Sequence, residues 1–216
     1  MKIVPIEEDE KAKKKKDEIL DESLDDDVFI KLQNSKIKTV DVEYSNAEKL
    51  AYDIKIQRGE TIYCNLTGKF VFGDFIGAFI QVNNLNVLEL SIITLSGGIE
   101  NFEMMEALID MGWVKKITLI LSSYFIRTEI KKHTNVNNYI KRINEERKGE
   151  FDIYHTNCHQ KIVLIKTEKE GINGYVTIHG SANLRSSQYL EQIIIQENRE
   201  LYEFNYKYFT NLIPKQ

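Results

Sequence analysis

The segment Val87–Leu95 constrains the fold of this 216-residue chain more than any other part of the sequence. It is a near-continuous apolar run, which is typical of a strand that is covered on both faces of a sheet. The loop Ser96–Gly98 interrupts the run, and residues 100–111 then carry apolar side chains at helical spacing. A strand, a small-residue loop and a helix form one α/β unit, so we predict an α/β fold.

The rest of the chain extends this pattern. We predict one α/β domain over 45–216, with a mixed, largely parallel central sheet and helices on both faces. Residues 1–44 form a charged segment that we expect to be flexible or marginally helical, because acidic and lysine clusters alternate there with few apolar residues. Further strands are predicted at 60–66, 116–121 and near 193–196, and helices at 46–57, 72–82, 126–148 and 200–212.

Two short segments place reactive side chains on neighbouring predicted strands. His159 and Lys161 lie two residues apart in a β-rich run, so both would project from one face of a strand. Tyr175–His179 is predicted as the next strand, and the glycine that follows lets the chain turn and present Ser181 and Asn183. An imidazole can attack phosphorus while the other groups hold phosphate oxygens, so this combination indicates phosphoryl transfer without a metal.

The order His-x-Lys followed by Gly-Ser-x-Asn resembles the motif of the phospholipase D-like superfamily. Ser181 follows His159 by 22 residues (181 − 159), and the resemblance is clearest over 151–197. It implies a phospholipase D-like fold and a covalent phosphohistidine. The implied site consists of His159 as nucleophile, Lys161 and Asn183 as phosphate ligands, Ser181 as a phosphate hydrogen-bond donor, and Glu191 as the residue that orients the histidine.

Two further implications concern activity and assembly. Family members often carry Asp five residues after the motif lysine, whereas this chain has Lys166 there. The family also needs two His-x-Lys copies in one site, one histidine attacking and the other protonating the leaving oxygen. Since this chain supplies one copy, the resemblance implies a homodimer with a single site across its two-fold axis.

The charge of the chain is unevenly distributed. The net charge is −4 overall, and residues 1–27 hold 6 Lys and 11 Asp or Glu, so the remainder carries +1. Residues 115–166 hold 11 Lys or Arg against 5 Asp or Glu, a net of +6 around the predicted site. Such a block would concentrate phosphate polyanions, and a solvated helix face is the alternative interpretation.

Metal binding is a weaker interpretation of the same region. His155 and Cys158 stand close to His159, but zinc sites usually assemble from spaced pairs and the other cysteine, Cys64, is far away in sequence. We therefore expect no metal and no cofactor, and we interpret His179 as a strand residue with a satisfied hydrogen bond. Two cysteines make no disulfide framework, and the sequence has no apolar run of about 20 residues, so we expect a cytoplasmic protein without membrane contact.

Three functions follow from these observations. The leading hypothesis is a metal-independent phosphodiesterase, a nuclease that cuts nucleic acid, with DNA favoured over RNA. The alternative, suggested by Lys166, is a non-catalytic nucleic-acid-binding or virion accessory protein on the same fold. Phospholipid hydrolysis is the least supported, because the sequence has no basic amphipathic anchor with exposed aromatic residues.

Overall fold

The computed structural model describes residues 36–44, 46–67, 70–128, 134–168, 174–185 and 189–213. The predicted N-terminal segment lies outside these residues up to position 35. Among the described residues, no helix combines the length and the apolar character that a bilayer crossing requires.

Eight strands form one sheet, in the order β1-β2-β8-β7-β6-β3-β4-β5. Helices alternate with most of the strands, which confirms the α/β class. β1 was not predicted by the sequence analysis; it pairs in parallel with β2 and extends the sheet beyond the predicted start of the domain at Ser45. The strands are β1 Lys36–Tyr44, β2 Glu60–Leu66, β3 Val87–Thr94, β4 Ile117–Ser122, β5 Phe151–Thr156, β6 Ile162–Thr167, β7 Tyr175–Gly180 and β8 Glu191–Glu197.

The prediction that the sheet is largely parallel is wrong. The pairs β1–β2, β3–β4 and β4–β5 are parallel, but β2–β8, β8–β7, β7–β6 and β6–β3 are antiparallel. A parallel crossover needs about a dozen residues or more, usually in a helix. The connections 168–174 and 181–190 are shorter than that, so β6, β7 and β8 can only run up and down beside one another.

Six helices pack on the described part of the sheet. Two differ from the prediction: α1 ends at Asp53 because Ile54 adopts extended backbone angles, and the predicted helix 126–148 is divided between α4 and α5, with 129–133 outside the described residues. The helices are α1 Ala47–Asp53, α2 Phe72–Val82, α3 Ile99–Asp110, α4 Ser123–Thr128, α5 Thr134–Glu146 and α6 Arg199–Asn211.

The sheet is covered by helices on both faces, as predicted. Consecutive residues of β3 point to opposite faces, as the two-residue period of a strand requires. Ile92 belongs to the buried cluster that includes Phe75 of α2 and Phe102 of α3, whereas Ile93 packs with Tyr202 of α6. We call these the α2/α3 face and the α6 face.

A polar network ties α3 to α5 at the surface of the α2/α3 face. Tyr139 donates a hydrogen bond to Glu106 Oε2 at 2.6 Å, and Arg142 donates to both carboxylate oxygens of Glu106 at 2.7 and 3.1 Å. Arg147 adds a bond from Nε to Glu106 at 3.3 Å and another from Nη2 to Asp110 at 2.6 Å. Chiefly because of the Arg142 hydrogen bond, the pKa of Glu106 is lowered to about 2.

This network predicts an acid-dependent stability. Because the folded-state pKa of Glu106 is depressed, its contribution is present above the ordinary carboxyl pKa and is lost as the pH falls towards about 2. Glu106→Gln should lower the free energy of unfolding at neutral pH by about 1–3 kcal/mol, the cost of leaving its arginine partners with a weaker acceptor. The loss should shrink as the pH falls below about 4, as measured by urea denaturation.

The matched control is Glu145→Gln, at an exposed position of α5. Its stability should follow that of the wild type at both pH values. An equal loss in Glu106→Gln at neutral and acidic pH would contradict the electrostatic account.

Candidate functional site

The sheet brings the predicted site residues to one of its edges. β3, β4 and β5 all end there, and the antiparallel strands place the start of β6, the end of β7 and the start of β8 beside them. Ile93 at the end of β3 pairs with Ile162, and Gly180 at the end of β7 pairs with Ile193. We call this the carboxyl edge. In sheets of this kind, ligands commonly bind beyond the carboxyl ends of the parallel strands.

His159 and Lys161 contact each other at the carboxyl edge. Lys161 Nζ lies 3.3 Å from His159 Nδ1 and donates to the His159 carbonyl at 3.2 Å. The prediction that both residues lie in a strand is wrong, because β6 begins only at Ile162. Lys161 nevertheless stays beside β7, since its carbonyl accepts a hydrogen bond from Gly180 N at 3.4 Å.

The contact between the two side chains has a chemical consequence for the imidazole. An ammonium can only donate, so this contact is a hydrogen bond only in the His159 tautomer that carries its ring proton on Nε2. A nucleophilic Nε2 needs the opposite tautomer. A phosphate oxygen is a better partner for an ammonium than a neutral ring nitrogen, so a bound phosphate would draw Lys161 away from the imidazole.

The segment 157–161 that carries His159 runs along the carboxyl edge. It connects β5 to β6, and in the sheet these two strands are separated by β4 and β3. Three strand spacings amount to about 14 Å, so the segment must pass the ends of both intervening strands. His159 is therefore held over the ends of β3 and β4 and is exposed to solvent.

Ser181 is fixed by β8. Its backbone N–H donates to the Gln192 carbonyl at 3.0 Å, and its Oγ accepts from Gln192 N at 3.0 Å. Because the hydroxyl oxygen acts here as an acceptor, its own hydrogen is left to be donated to another group, such as a phosphate oxygen. The geometry is compatible with the role that the sequence predicts for Ser181.

Asn183 and Glu191 lie together in a different part of the carboxyl edge. They line a small cavity of about 10 Å³ with Arg185, which has room for little more than one water-sized sphere. Asn183 Oδ1 is buried without a hydrogen-bond partner among the described residues. Among the described residues, no hydrogen bond joins Glu191 to His159 of the same chain. The structure thus brings together His159 with Lys161, and Asn183 with Glu191.

One polar pair at the carboxyl edge was not predicted from the sequence. Ser123, at the start of α4, places Oγ 3.5 Å from Nδ1 of His155 near the end of β5. The signal was available, because the predicted strand 116–121 ends just before Ser123 and parallel neighbours end at the same edge. His155 was weighed only as a metal ligand; among the described residues, no group of three or more His, Cys, Asp or Glu side chains is positioned to hold a metal.

His179 is a strand residue with a satisfied hydrogen bond, as predicted. Its Nε2 lies 3.2 Å from Gln196 Oε1, and Gln196 Nε2 donates to Thr61 Oγ1 at 3.0 Å. His179 follows Ile178, which points to the α2/α3 face, so its ring points to the α6 face. His179 is thus separate from the His159 contact.

Part of the predicted cationic block does not surround the site. Arg147 lies between the end of α5 and the start of β5, and it is paired with Glu106 and Asp110. Lys115, just before β4, is paired with Glu168, just after β6. Both positions lie at the edge opposite the carboxyl edge, and both charges are neutralised by carboxylates. These two residues therefore do not contribute positive charge at the carboxyl edge.

A larger cleft lies among α1, α2 and α3. It has a volume of about 470 Å³ and is lined by residues that include Glu48, Asp74 and Gln81. Burial, together with the neighbouring Glu48, raises the pKa of Asp74. Two carboxyl groups disfavour a polyanion, so this cleft is not where phosphate chemistry would take place.

Known proteins resemble this chain in fold and not in sequence. No family model and no curated protein matches the sequence. The structure is similar to that of polyphosphate kinase from Porphyromonas gingivalis, with a TM-score of 0.51 and 14% identity, over 72% of this chain and 26% of that one. This chain therefore spans about a quarter of the kinase, and the similarity identifies the phospholipase D-like fold.

Two further similarities are weaker. Phosphatidylserine synthase from Haemophilus influenzae gives a TM-score of 0.47 at 11% identity, over 70% of this chain and 38% of that one. NucT from Helicobacter pylori gives 0.46 at 14% identity, over 71% of this chain and 96% of that one.

Gly180 is the position at which the site geometry is most sensitive to substitution. A Cβ there would lie 2.0 Å from the Gln192 carbonyl oxygen, so Gly180→Ala must push β8 away from Ser181. We expect a loss of about 3 kcal/mol in the free energy of unfolding, the range of overpacked interiors. Gly59→Ala is the contrast, because that site is open but has a φ of 75°.

Gly59→Ala should cost only the backbone strain, about 1–2 kcal/mol. Urea denaturation midpoints of the two variants decide the matter. If Gly180→Ala is no less stable than Gly59→Ala, then the approach of β8 to Gly180 does not restrict this turn.

Proposed function

We propose that this protein is a phosphodiesterase that cleaves nucleic acid through a phosphohistidine in a site shared by two subunits. The observation that carries the proposal is the contact of His159 with Lys161 at the edge where Ser181 is held by β8. An imidazole, an ammonium and a hydroxyl at one sheet edge are the groups that metal-free phosphoryl transfer requires. The shared fold adds support, since the kinase is named for a phosphate polymer.

The proposed reaction has two steps. In the first, His159 Nε2 forms a bond to phosphorus, the ester P–O bond breaks, and the leaving oxygen takes a proton from His159 of the partner subunit. In the second, water attacks the phosphohistidine, its proton passes to that second imidazole, and the N–P bond breaks. Lys161, Ser181 and Asn183 would stabilise the charge on the non-bridging oxygens.

The role of Glu191 fits best across the subunit interface. Within the described chain, Glu191 lines the cavity beside Asn183 and forms no hydrogen bond with His159. A two-fold axis near the carboxyl edge would bring the carboxylate to His159 of the partner subunit. There the carboxylate could accept a hydrogen bond from Nδ1–H and so hold the tautomer that a nucleophilic Nε2 needs.

The position of Lys166 in the sheet is compatible with catalysis at the carboxyl edge. It lies near the far end of β6, where its Cα partners are Glu89 on β3 and Tyr175 on β7. Opposite charges on neighbouring strands are favourable, so Lys166 is accommodated there. Lys166 therefore does not lie among the candidate site residues at the carboxyl edge.

His159→Ala tests the chemistry. Hydrolysis of bis(p-nitrophenyl) phosphate and of labelled oligonucleotides should fall by about a thousandfold or more, because the nucleophile and the acid are lost together. His179→Gln, on the α6 face, is the matched control and should keep its activity. Excess EDTA should leave the wild-type rate unchanged. Loss of activity in EDTA would sink the metal-free mechanism, and tight binding without cleavage would favour the accessory protein.

The homodimer has its own test. Tyr189 and Leu190 are 78% and 66% exposed just before β8, so they offer apolar surface at the carboxyl edge. Leu190→Asp should convert a dimer into a monomer by light scattering and reduce hydrolysis in parallel. Met111→Asp, at a 57% exposed position after α3 at the opposite edge, should remain dimeric. An active wild-type monomer at micromolar concentration would contradict the shared site.

A further inference from the structure

Tyr124 is an exposed aromatic side chain at the carboxyl edge. It is 61% exposed, although the next residue, Phe125, is buried in the core and anchors α4. The backbone of Tyr124 is held at both ends, since its N–H donates to Ser122 Oγ at 3.3 Å and its carbonyl accepts from Thr128 Oγ1 at 2.8 Å. The ring is thus presented to solvent from a fixed backbone.

Ser123, which precedes Tyr124 in the chain, contacts His155. The distance of 3.5 Å between Oγ and Nδ1 is at the long limit of a hydrogen bond, so little is lost when either group turns to a ligand oxygen. His155 pairs with Leu121 across β4 and β5, and Leu121 points to the α2/α3 face. His155 therefore points to that face too, next to the start of α4.

These groups lie a definite distance from the proposed reaction centre. β5, which carries His155, is three strand spacings from β6, which follows Lys161, or about 14 Å along the carboxyl edge. The segment that holds His159 bridges this distance. A polynucleotide whose reacting phosphate lies at Lys161 would therefore place a phosphate about one or two nucleotides further along near Ser123 and His155.

We propose that Tyr124, Ser123 and His155 form a nucleotide-binding position for single-stranded nucleic acid beside the reaction centre. The base stacks on the Tyr124 ring, and the adjoining phosphate accepts hydrogen bonds from the Ser123 hydroxyl and the His155 imidazole. A duplex keeps its bases stacked on each other and cannot offer one to Tyr124. The inference rests on the proposed function, because it takes the substrate to be a polynucleotide.

Binding measurements test the position without depending on cleavage. Fluorescence anisotropy is recorded at low salt with a labelled oligothymidylate of about ten residues, in the His159→Ala background so that the probe stays intact. Tyr124→Ala should weaken binding roughly 5- to 100-fold, the loss of one base–aromatic stack, while Tyr124→Phe keeps the parent affinity. His155→Ala should weaken it roughly 3- to 10-fold, the loss of one hydrogen bond, and His155→Gln should recover part of that.

Three controls complete the experiment. Tyr52→Ala, at a 66% exposed position near the end of α1, should bind as the parent does. Tyr124→Ala should leave duplex binding unchanged. With the catalytic histidine restored, Tyr124→Ala should hydrolyse bis(p-nitrophenyl) phosphate at the wild-type rate, since that substrate does not reach α4. A wild type that hydrolyses neither bis(p-nitrophenyl) phosphate nor oligonucleotides refutes the proposed function. The anisotropy measurement still tests the nucleotide-binding position in that case, because it records binding and not cleavage.

Each of the following results would overturn the inference. One is unchanged affinity of Tyr124→Ala for the single strand, and another is an equal loss for single strand and duplex. A third is a wild type that binds no oligonucleotide even at low salt. The last is a shift of Tyr124→Ala to a monomer in light scattering, which would assign the ring to a subunit contact.

Discussion

The antiparallel ladder of β6, β7 and β8 decides which end of this sheet carries the candidate site residues. It stands between a parallel pair on one side and three parallel strands on the other. Its register aligns the start of β6 with the end of β3, and the end of β7 with the start of β8. Reversal of any one of these strands would send Lys161, Ser181 or Glu191 to the opposite edge. In this register β8 comes so close to Gly180 that a Cβ there would lie 2.0 Å from the Gln192 carbonyl oxygen.

Much of the fold could be predicted from periodicity, because buried strands and amphipathic helices each leave a local pattern. The helix predicted at 72–82 is α2 at the same bounds, and the strand predicted from Val87 ends one residue early. Strand direction could not be predicted in this way, since it depends on connection length and on non-local pairing. β1 was missed because charged residues interrupt its apolar pattern and continue the composition of the segment before it.

The candidate site could be predicted as a set of residue types but not as an arrangement. The order of His159, Lys161, Ser181 and Asn183 in the sequence indicated the chemistry. It could not reveal that Lys161 donates to the imidazole, or that Asn183 and Glu191 line a separate cavity. Side-chain contacts of this kind depend on how the loops outside the strands are folded, for which a two-residue period gives no information. The charge pattern also predicted more positive charge around the site than Lys115 and Arg147 supply, because a sequence does not show which cations are paired with carboxylates.

The length of the connection between β5 and β6 limits where the His159 imidazole can lie. Six Cα–Cα steps separate Thr156 from Ile162 and reach at most about 20 Å, and a turn at Cys158 N to Thr156 O uses part of that length. A crossing of two strand ends takes about 14 Å of that reach. The remaining few ångströms limit how far His159 can lie from the sheet. Removing two residues would leave a reach of about 14 Å, so the segment would then have to run straight across the strand ends.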